Sequence, residues 1–188
     1  MAKAPRLGRV KTRLARDIGA VAAWSFYRHT LAAVARPLTK DRRWQTWLCI
    51  SPDRSLLAKA SWPPGSNRIA QGQGDLGQRM ARVMKALPPG PVVLIGADIP
   101  DIQPADIAAA FQALGCHETV FGPAADGGYW LVGQRRRPRL LPLFADVRWS
   151  SPHALADTLK NIPPACSTGF LRELRDVDDG PAFHAFRA

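Results

Sequence analysis

Val92-Val93-Leu94-Ile95 is a run of four apolar residues between Pro88-Pro89-Gly90-Pro91 and Gly96-Ala97-Asp98. The prolines end the helix that precedes them, and the run reads as a strand. Its unbroken apolar character suits a strand covered on both faces, as in a parallel sheet. Parallel strands need long crossovers, so helical segments should lie between this strand and its neighbours.

The rest of the chain supplies them. From Leu14 to Ala35, Ile18, Val21, Ala22, Phe26, Leu31 and Val34 recur at helical spacing and predict one long helix that Pro37 ends. Trp44–Ile50 reads as a strand closed by Ser51-Pro52-Asp53. The loop Trp62–Ser66 leads to a brief strand over Asn67–Ala70, and Gln71–Asp75 is a flexible turn. A helix over Leu76–Leu87 should bury Leu76, Met80, Val83, Met84 and Leu87. Pro104–Leu114 reads as a helix, with Pro104 in its first turn and Gly115 past its end. Strands over Thr119–Gly122 and Tyr129–Val132 flank the turn-rich Pro123–Gly128, and Arg135–Arg139 is a basic surface turn. A helix over Ser151–Leu159 takes its cap from Ser150 or Ser151. Alternation of this kind specifies an α/β domain with a largely parallel sheet, expected to occupy residues 1–188 as one unit.

With 46% hydrophobic and 22% charged residues, the composition excludes a disordered or fibrous chain. No apolar run approaches the ~20 residues of a membrane helix. Three cysteines, Cys49, Cys116 and Cys166, lack metal-site spacing and fit a reducing cytoplasm. The net charge of +11 is unevenly spread. Residues 1–54 carry twelve Lys/Arg against three acids, whereas residues 95–188 carry nine against eleven. A nucleic-acid binder would show this pattern, as would an enzyme that binds phosphates early in the chain and a divalent metal late. Met1–Phe26 is rich in Arg and Ala, as transit peptides are, but Ser25 is its only serine, and we read it as working structure.

Four constellations carry candidate chemistry. In Gly8-Arg9-Val10-Lys11-Thr12-Arg13-Leu14, a glycine, fixed positive charge and a following helix are the ingredients of a phosphate cradle, without the spacing of a Walker loop. A basic helix start on a solvated face would look the same. Asp98 follows the buried strand, where α/β folds bind ligands and where a hard divalent cation could take a carboxylate. Asp101 reads as a turn residue. Gly122–Trp130 brings Asp126, Gly127, Gly128 and Tyr129 together, either as a platform for a hydroxyl-bearing ligand or as a hairpin turn. In Asp176-Val177-Asp178-Asp179, strand alternation would point Asp176 and Asp178 one way, to join Asp98 at a metal or simply to be solvated. Trp149 and Ser150 precede a helix as cap or binding edge, and the four histidines show no metal spacing.

Taken in order, Lys3-Ala-Pro-Arg-Leu-Gly-Arg-Val-Lys-Thr-Arg-Leu14, Gln71-Gly-Gln-Gly-Asp-Leu-Gly-Gln-Arg-Met80, Gly96-Ala-Asp-Ile-Pro100, Gly122-Pro-Ala-Ala-Asp-Gly-Gly-Tyr129, Trp149-Ser-Ser151 and Asp176-Val-Asp-Asp179 resemble a bacterial family of small transferases with the GT-A, or nucleotide-diphospho-sugar transferase, fold. Its members are described as glycosyltransferases, some linked with arsenosugar biosynthesis or with radical-SAM- and selenodomain-associated gene clusters. The resemblance implies a Rossmann-like, mostly parallel sheet with helices on both faces. It implies that Gly8, Lys11 and Arg13 hold nucleotide phosphates and that Gly72, Gly74, Asp75 and Arg79 border the nucleotide. Asp98, Asp178 and Asp176 would hold Mg²⁺ or Mn²⁺. Asp126, Gly127, Gly128, Tyr129, Trp149 and Ser150 would line the sugar or acceptor side, with Asp126 and Asp98 catalytic.

Three features depart from the family pattern. Members carry a hydrophobic strand before the Lys-x-Pro element, and here only Met1-Ala2 precede it. We therefore expect either a first strand truncated by a start codon placed too late or a loop of another kind, and poor stability or a strand borrowed in a homodimer unless the true start lies upstream. Ile99 stands where a cysteine is common, and Asp179 where a threonine is common. The implied partners are a nucleotide-sugar donor and a small-molecule acceptor. A nucleotidyltransferase acting on a nucleoside triphosphate is the alternative in the same fold. A basic nucleic-acid-binding module is the alternative of another class, and none of the usual nucleic-acid motifs supports it.

Overall fold

The computed structural model describes residues 1–58, 62–63 and 66–187. Part of the expected loop Trp62–Ser66 lies outside the described residues. The chain is α/β and forms two compact units. The first comprises residues 1–70, 97–102 and 176–188, and the second residues 71–96 and 103–175.

In the first unit, β1 (Ala2–Lys3), β2 (Trp47–Ser51) and β3 (Asn67–Ala70) form a parallel sheet in that order. Ala2 pairs with Ile50 and Lys3 with Ser51, so the expected truncated first strand is a two-residue strand in register with β2. The backbone N–H of Ala4 donates to Ser51 O on the β2 side. The N–H and C=O of Lys3 instead meet the hydroxyl of Tyr27, each at 2.9 Å. A buried phenol thus satisfies two main-chain groups of a strand that is short of ladder partners. Burial pushes the Tyr27 phenol well above its ordinary range, with the negative charge of Asp98 adding to the shift.

The predicted long helix is two: α1 (Leu14–Ile18) and α2 (Ala20–Lys40). Gly19 separates them at φ 85°, a conformation that favours glycine and that helical periodicity cannot reveal. Pro37 does not end α2 but lies in its last stretch. Trp44 Nε1 and Thr46 Oγ1 both donate to the carbonyl of Leu38, and Thr39 Oγ1 to that of Arg36, so side chains sustain the turn that proline weakens. Ala23, Tyr27, Leu31, Val34 and Leu38 line the buried stripe of α2. A C-terminal helix, α6 (Gly180–Arg187), was not predicted. Its Phe183 packs edge-on against Phe26 at 5.3 Å between centroids, and Asp17 accepts the N–H of Gly180. The core of this unit gathers Ala2, Ala4, Val10, Tyr27, Leu31, Ala35, Leu48, Ile50, Trp62 and Ala97.

In the second unit, β4 (Val92–Ile95), β5 (Thr119–Pro123), β6 (Tyr129–Gln134) and β7 (Thr168–Phe170) form a sheet in the order β4-β6-β5-β7. Strands β5 and β7 are parallel, and β6 runs antiparallel to both β4 and β5. Five residues connect β5 to β6, too few for a crossover, so this link is a hairpin. Strand β4 buries Val92 and Leu94 fully, while Val93 and Ile95 are half-buried. Helices α3 (Leu76–Ala86), α4 (Pro104–Ala113) and α5 (Ala154–Lys160) complete the unit. Leu76 is exposed rather than buried, because the inward stripe of α3 runs through Gly77, Met80, Val83 and Met84. Gly77 faces Trp149 and Phe144 so closely that a side chain there would collide with both. The guanidinium of Arg136 donates to the carbonyls of Met84, Leu87, Pro88 and Gly90, closing the C-terminal end of α3. Trp130 and Phe121, both fully buried, anchor the core.

Tyr27→Phe leaves the two Lys3 backbone groups without their phenol partner. We expect a loss of about 1 to 3 kcal/mol in chemical denaturation, because a buried donor or acceptor left unmet costs its desolvation. An unchanged midpoint would show that solvent replaces the hydroxyl at no cost.

Candidate functional site

The loop between β1 and α1 is a series of turns with Gly8 at φ 71°. Val10 and Leu14 are buried and pin the loop at both ends of the Lys11-Thr12-Arg13 segment. Lys11 itself takes φ 45°, an uncommon backbone state for a residue with a side chain. Its side chain is only 4% exposed, and its ammonium lies 2.7 Å from Asp178 Oδ1 and 3.3 Å from Asp98 Oδ2. Ala97 and Ile99 are buried on either side of Asp98, and Val177 is buried before Asp178, so apolar anchors hold both carboxylates in place. Arg13, largely exposed, reaches 4.0 Å from Asp178 Oδ2.

The electrostatics follow from this geometry. Burial works against the charge of Lys11, yet Asp98 and Asp178 outweigh it and raise its pKa above the ordinary lysine value. Burial likewise opposes ionisation of Asp178, and the Lys11 ammonium, the Asp176 hydrogen bond and Arg13 hold it below the usual carboxylate range. Asp179 serves the adjoining helix instead, because its Oδ1 accepts the N–H of Ala182 and caps α6. Of these neighbouring aspartates, Asp178 faces the lysine and Asp179 the helix. Asp176–Asp179 is not a strand, but Val177 still turns inward as alternation required.

Sequence reasoning gave Lys11 to phosphates and Asp98 and Asp178 to a metal; the structure brings all three together on one another. Two carboxylates sharing one cation are a suitable donor set for Mg²⁺ or Mn²⁺, which take one or two carboxylates and complete their shell with water and phosphate oxygens. Among the described residues, no group of three or more His, Cys, Asp or Glu side chains stands ready to hold a metal. Helix α1 has only five residues, so the phosphate-binding capacity of this loop rests on its side chains.

The same unit contains a cleft of about 390 Å³ lined by Lys3, Ala4, Arg6, Arg9, Ser51, Pro52 and Arg54. Four cationic side chains and no carboxylate line it, which suits a polyanion. The sequence marked the basic loop but not Ser51 or Arg54. Their signal was the Ser51-Pro52-Asp53 turn at the end of a parallel strand, where α/β folds place ligands.

The remaining predicted residues belong to the second unit. Asp75 caps α3 in a capping box, accepting the N–H of Gln78 at 2.8 Å while Gln78 Oε1 accepts the N–H of Asp75. Arg79 donates to Asp75 O and Gln71 Oε1, and Gly72 and Gly74 both have positive φ. Asp126 is exposed in the β5–β6 hairpin, and its Oδ1 accepts the N–H of Gly128. Gly127, at φ 84°, lies against the carbonyl of Pro152, leaving no room for a side chain. Tyr129 packs edge-on against Phe121 and Trp149, and Thr158 Oγ1 donates to its hydroxyl. Burial pushes the Tyr129 phenol far upward, so this ring supports the site rather than exchanging protons. The Asp126–Tyr129 turn and the Trp149–Ser150 segment therefore do meet. Ser150 is exposed at φ 57°, and the Ser151 hydroxyl, which accepts the N–H of His153, organises the turn before α5.

A family model described as "Uncharacterized protein conserved in bacteria (DUF2064)" matches residues 34–151. The chain belongs to this family. Among solved structures it is similar to a provisionally named nucleotide-diphospho-sugar transferase from Desulfovibrio desulfuricans G20, at 31% identity and a TM-score of 0.85 over 95% of this chain and 80% of that one. It shares its fold with 4-diphosphocytidyl-2C-methyl-D-erythritol synthase from Anaerococcus prevotii DSM 20548, at 9% identity and TM-score 0.60 over 85% and 86% of the two chains. It also shares its fold with Rv0371c of Mycobacterium tuberculosis H37Rv in complex with manganese, at 16% identity and TM-score 0.56 over 83% and 84%. Among curated proteins, none matches the sequence. The fold of the DUF2064 chain is thus that of the nucleotide-diphospho-sugar transferases, as the motifs implied. Among its described residues no helix is long and apolar enough to cross a membrane.

The lowered pKa of Asp178 stabilises the folded state above the ordinary aspartate range near 3.9, and that contribution is lost as pH falls through the folded value. The raised pKa of Lys11 acts below about 10.4 and is lost as pH rises through its folded value. Asp178→Asn should therefore cost about 1 to 2 kcal/mol at pH 7, a value discounted for the partial exposure of Asp178. Urea denaturation should show that cost shrinking toward pH 3. A pH-independent difference between the two proteins would contradict the pairing.

Proposed function

We propose that this chain is a metal-dependent glycosyltransferase that moves a sugar from a nucleotide-diphospho-sugar donor to a small hydroxyl-bearing acceptor. The observation that carries the reading is the buried Lys11 ammonium held between Asp98 and Asp178 in a unit that also contains the four-cation cleft. Positive side chains suit a diphosphate, and paired carboxylates suit the divalent ion that accompanies it. Asp98 and Asp178, and less directly Asp176, would hold Mg²⁺ or Mn²⁺. When bound, that ion offsets charge developing on the departing nucleoside diphosphate. Lys11 and Arg13, with Lys3, Arg6, Arg9 and Arg54 around the cleft, neutralise the remaining phosphate charge. Gly72, Gly74 and Arg79 border the nucleotide, while Asp75 holds the helix that carries Arg79. Asp126, exposed and held by its own turn, orients or deprotonates the acceptor hydroxyl. Gly127, Gly128 and Ser150 shape the acceptor side, with Tyr129 and Trp149 as its packed wall.

The cleft also favours a second reading. Four cations suit a triphosphate as well as a diphosphate, and a nucleotidyltransferase would use the same charges at an α-phosphate. A fold shared with transferases supports both.

A thermal-shift panel separates them. UDP-, GDP- and dTDP-sugars and the nucleoside triphosphates are each compared with and without Mn²⁺ or Mg²⁺. A ligand at a hundred times its Kd adds about 2.7 kcal/mol, which raises Tm by roughly 5 °C or more in a chain of this size. We expect metal-dependent stabilisation by one diphospho-sugar, abolished in Asp98→Ala. Preference for a triphosphate would transfer the assignment to nucleotidyl transfer. Silence toward every nucleotide, with strongly salt-dependent binding of generic nucleic acid, would overturn both in favour of a basic binding module.

A further inference from the structure

We infer that Lys11 is an exchangeable counter-ion: its ammonium holds the carboxylates of Asp98 and Asp178 until a divalent cation displaces it, and the displaced ammonium then takes a phosphate. This rests on the metal and phosphate reading above and adds a coupling between the two ligands.

The argument is one of space and charge. The ammonium sits 2.7 and 3.3 Å from one oxygen of each carboxylate, with its side chain only 4% exposed. Mg²⁺ binds its oxygens at about 2.0 to 2.1 Å, so an ion bridging the same two oxygens would take the position the ammonium fills. Two cations in that position would also repel strongly. An ion therefore gains Asp98 Oδ2 and Asp178 Oδ1 together only when Lys11 leaves. Lysine is suited to leaving: it is a point charge on a flexible four-carbon stem. The backbone of Lys11 is held by buried Val10 and Leu14 on either side, so departure is a movement of the side chain alone.

Formal charge sets the order of events. The Lys11 ammonium and the Arg13 guanidinium face the carboxylates of Asp98, Asp178 and Asp176, a formal balance of two positive against three negative charges that favours a divalent ion. With the ion in place, the expelled ammonium has lost both partners, and a di- or triphosphate offers it new ones. Metal alone must therefore bind against the Lys11 pairings, whereas metal with a polyphosphate leaves the displaced ammonium with an anionic partner. The two ligands strengthen one another by linkage, without any required movement of the fold.

The test uses Mn²⁺ alone, followed by electron paramagnetic resonance of the free ion. Lys11→Met and Lys11→Gln should each bind Mn²⁺ about tenfold or more tightly than the native chain, within the usual range of coupling energies. Adding Asp98→Asn to Lys11→Met should remove that gain, which separates this site from incidental Mn²⁺ binding elsewhere. A second arm keeps the native chain and so does not depend on either variant folding. Acetylation of Lys11 by a water-soluble N-hydroxysuccinimide ester, read by peptide mass spectrometry, should be slow without metal and several-fold faster with Mn²⁺. Equal Mn²⁺ affinity in native and variant chains, or Lys11 labelling that Mn²⁺ leaves unchanged, would overturn the inference. The transferase reading fails separately, through the absence of any nucleotide-dependent thermal shift in the native protein.

Discussion

The first unit is assembled from three separate stretches of chain, and one ammonium touches all three. Lys11 belongs to the first stretch, Asp98 to the second and Asp178 to the third. A buried lysine without partners would lose its charge or cost several kcal/mol to keep it. Two partly buried carboxylates without a cation would repel each other. Each group is tolerable only because the other two are present, so the pairing constrains where the 97–102 and 176–188 segments lie against the N-terminal loop. Breaking a pair of this kind is costly chiefly because of the charge left behind.

Around that cluster, local chemistry supplies what regular structure does not. A two-residue β1 depends on the Tyr27 hydroxyl for the polar groups of Lys3. The last stretch of α2 depends on Trp44, Thr46 and Thr39, and the end of α3 on Arg136. Asp179 caps α6 beside the aspartate that faces Lys11. In the second unit the hairpin turn at Asp126 is fixed by its own side chain and by the close approach of Gly127 to Pro152. Candidate functional residues therefore stand next to residues that hold them, and the two roles are often adjacent in sequence.

Much of this was legible in the sequence, for identifiable reasons. Helices α3 and α4 have strong periodicity, and Pro88–Pro91, Asp75, Pro104 and Gly115 mark clear boundaries, but the unbroken apolar run of β4, which suits a parallel strand, pairs antiparallel with β6 and is only half-buried at Val93 and Ile95. The break at Gly19 was missed because the apolar spacing continues across it. Pro37 misled because α2 continues three residues past it, where Trp44, Thr46 and Thr39 satisfy carbonyls at the helix end. Strand β7 has three residues, one a glycine, and offers no pattern to read. Helix α6 did leave a signal, an aspartate cap at Asp179 followed by Gly180-Pro181. Six motifs in order pointed to the right fold, and most of the residues they contain do cluster within their own unit. The meeting of Lys11 with Asp98 and Asp178 was not legible: these residues lie far apart in the chain, and only the tertiary fold brings them together. Ser51 and Arg54 did leave a signal for the basic cleft, the Ser51-Pro52-Asp53 turn at the end of a strand.

On the proposed reading, Asp98, Asp178 and Lys11 would form one ion-exchange centre for a metal and a phosphate-bearing nucleotide. The most direct measurement is a crystal structure of the chain with Mn²⁺ and a nucleoside diphosphate, with the ion located by its anomalous scattering. The account predicts manganese on the carboxylates of Asp98 and Asp178 and the Lys11 ammonium on a phosphate oxygen. A nucleotide-bound structure in which Lys11 still bridges the two aspartates, with manganese elsewhere, would contradict it.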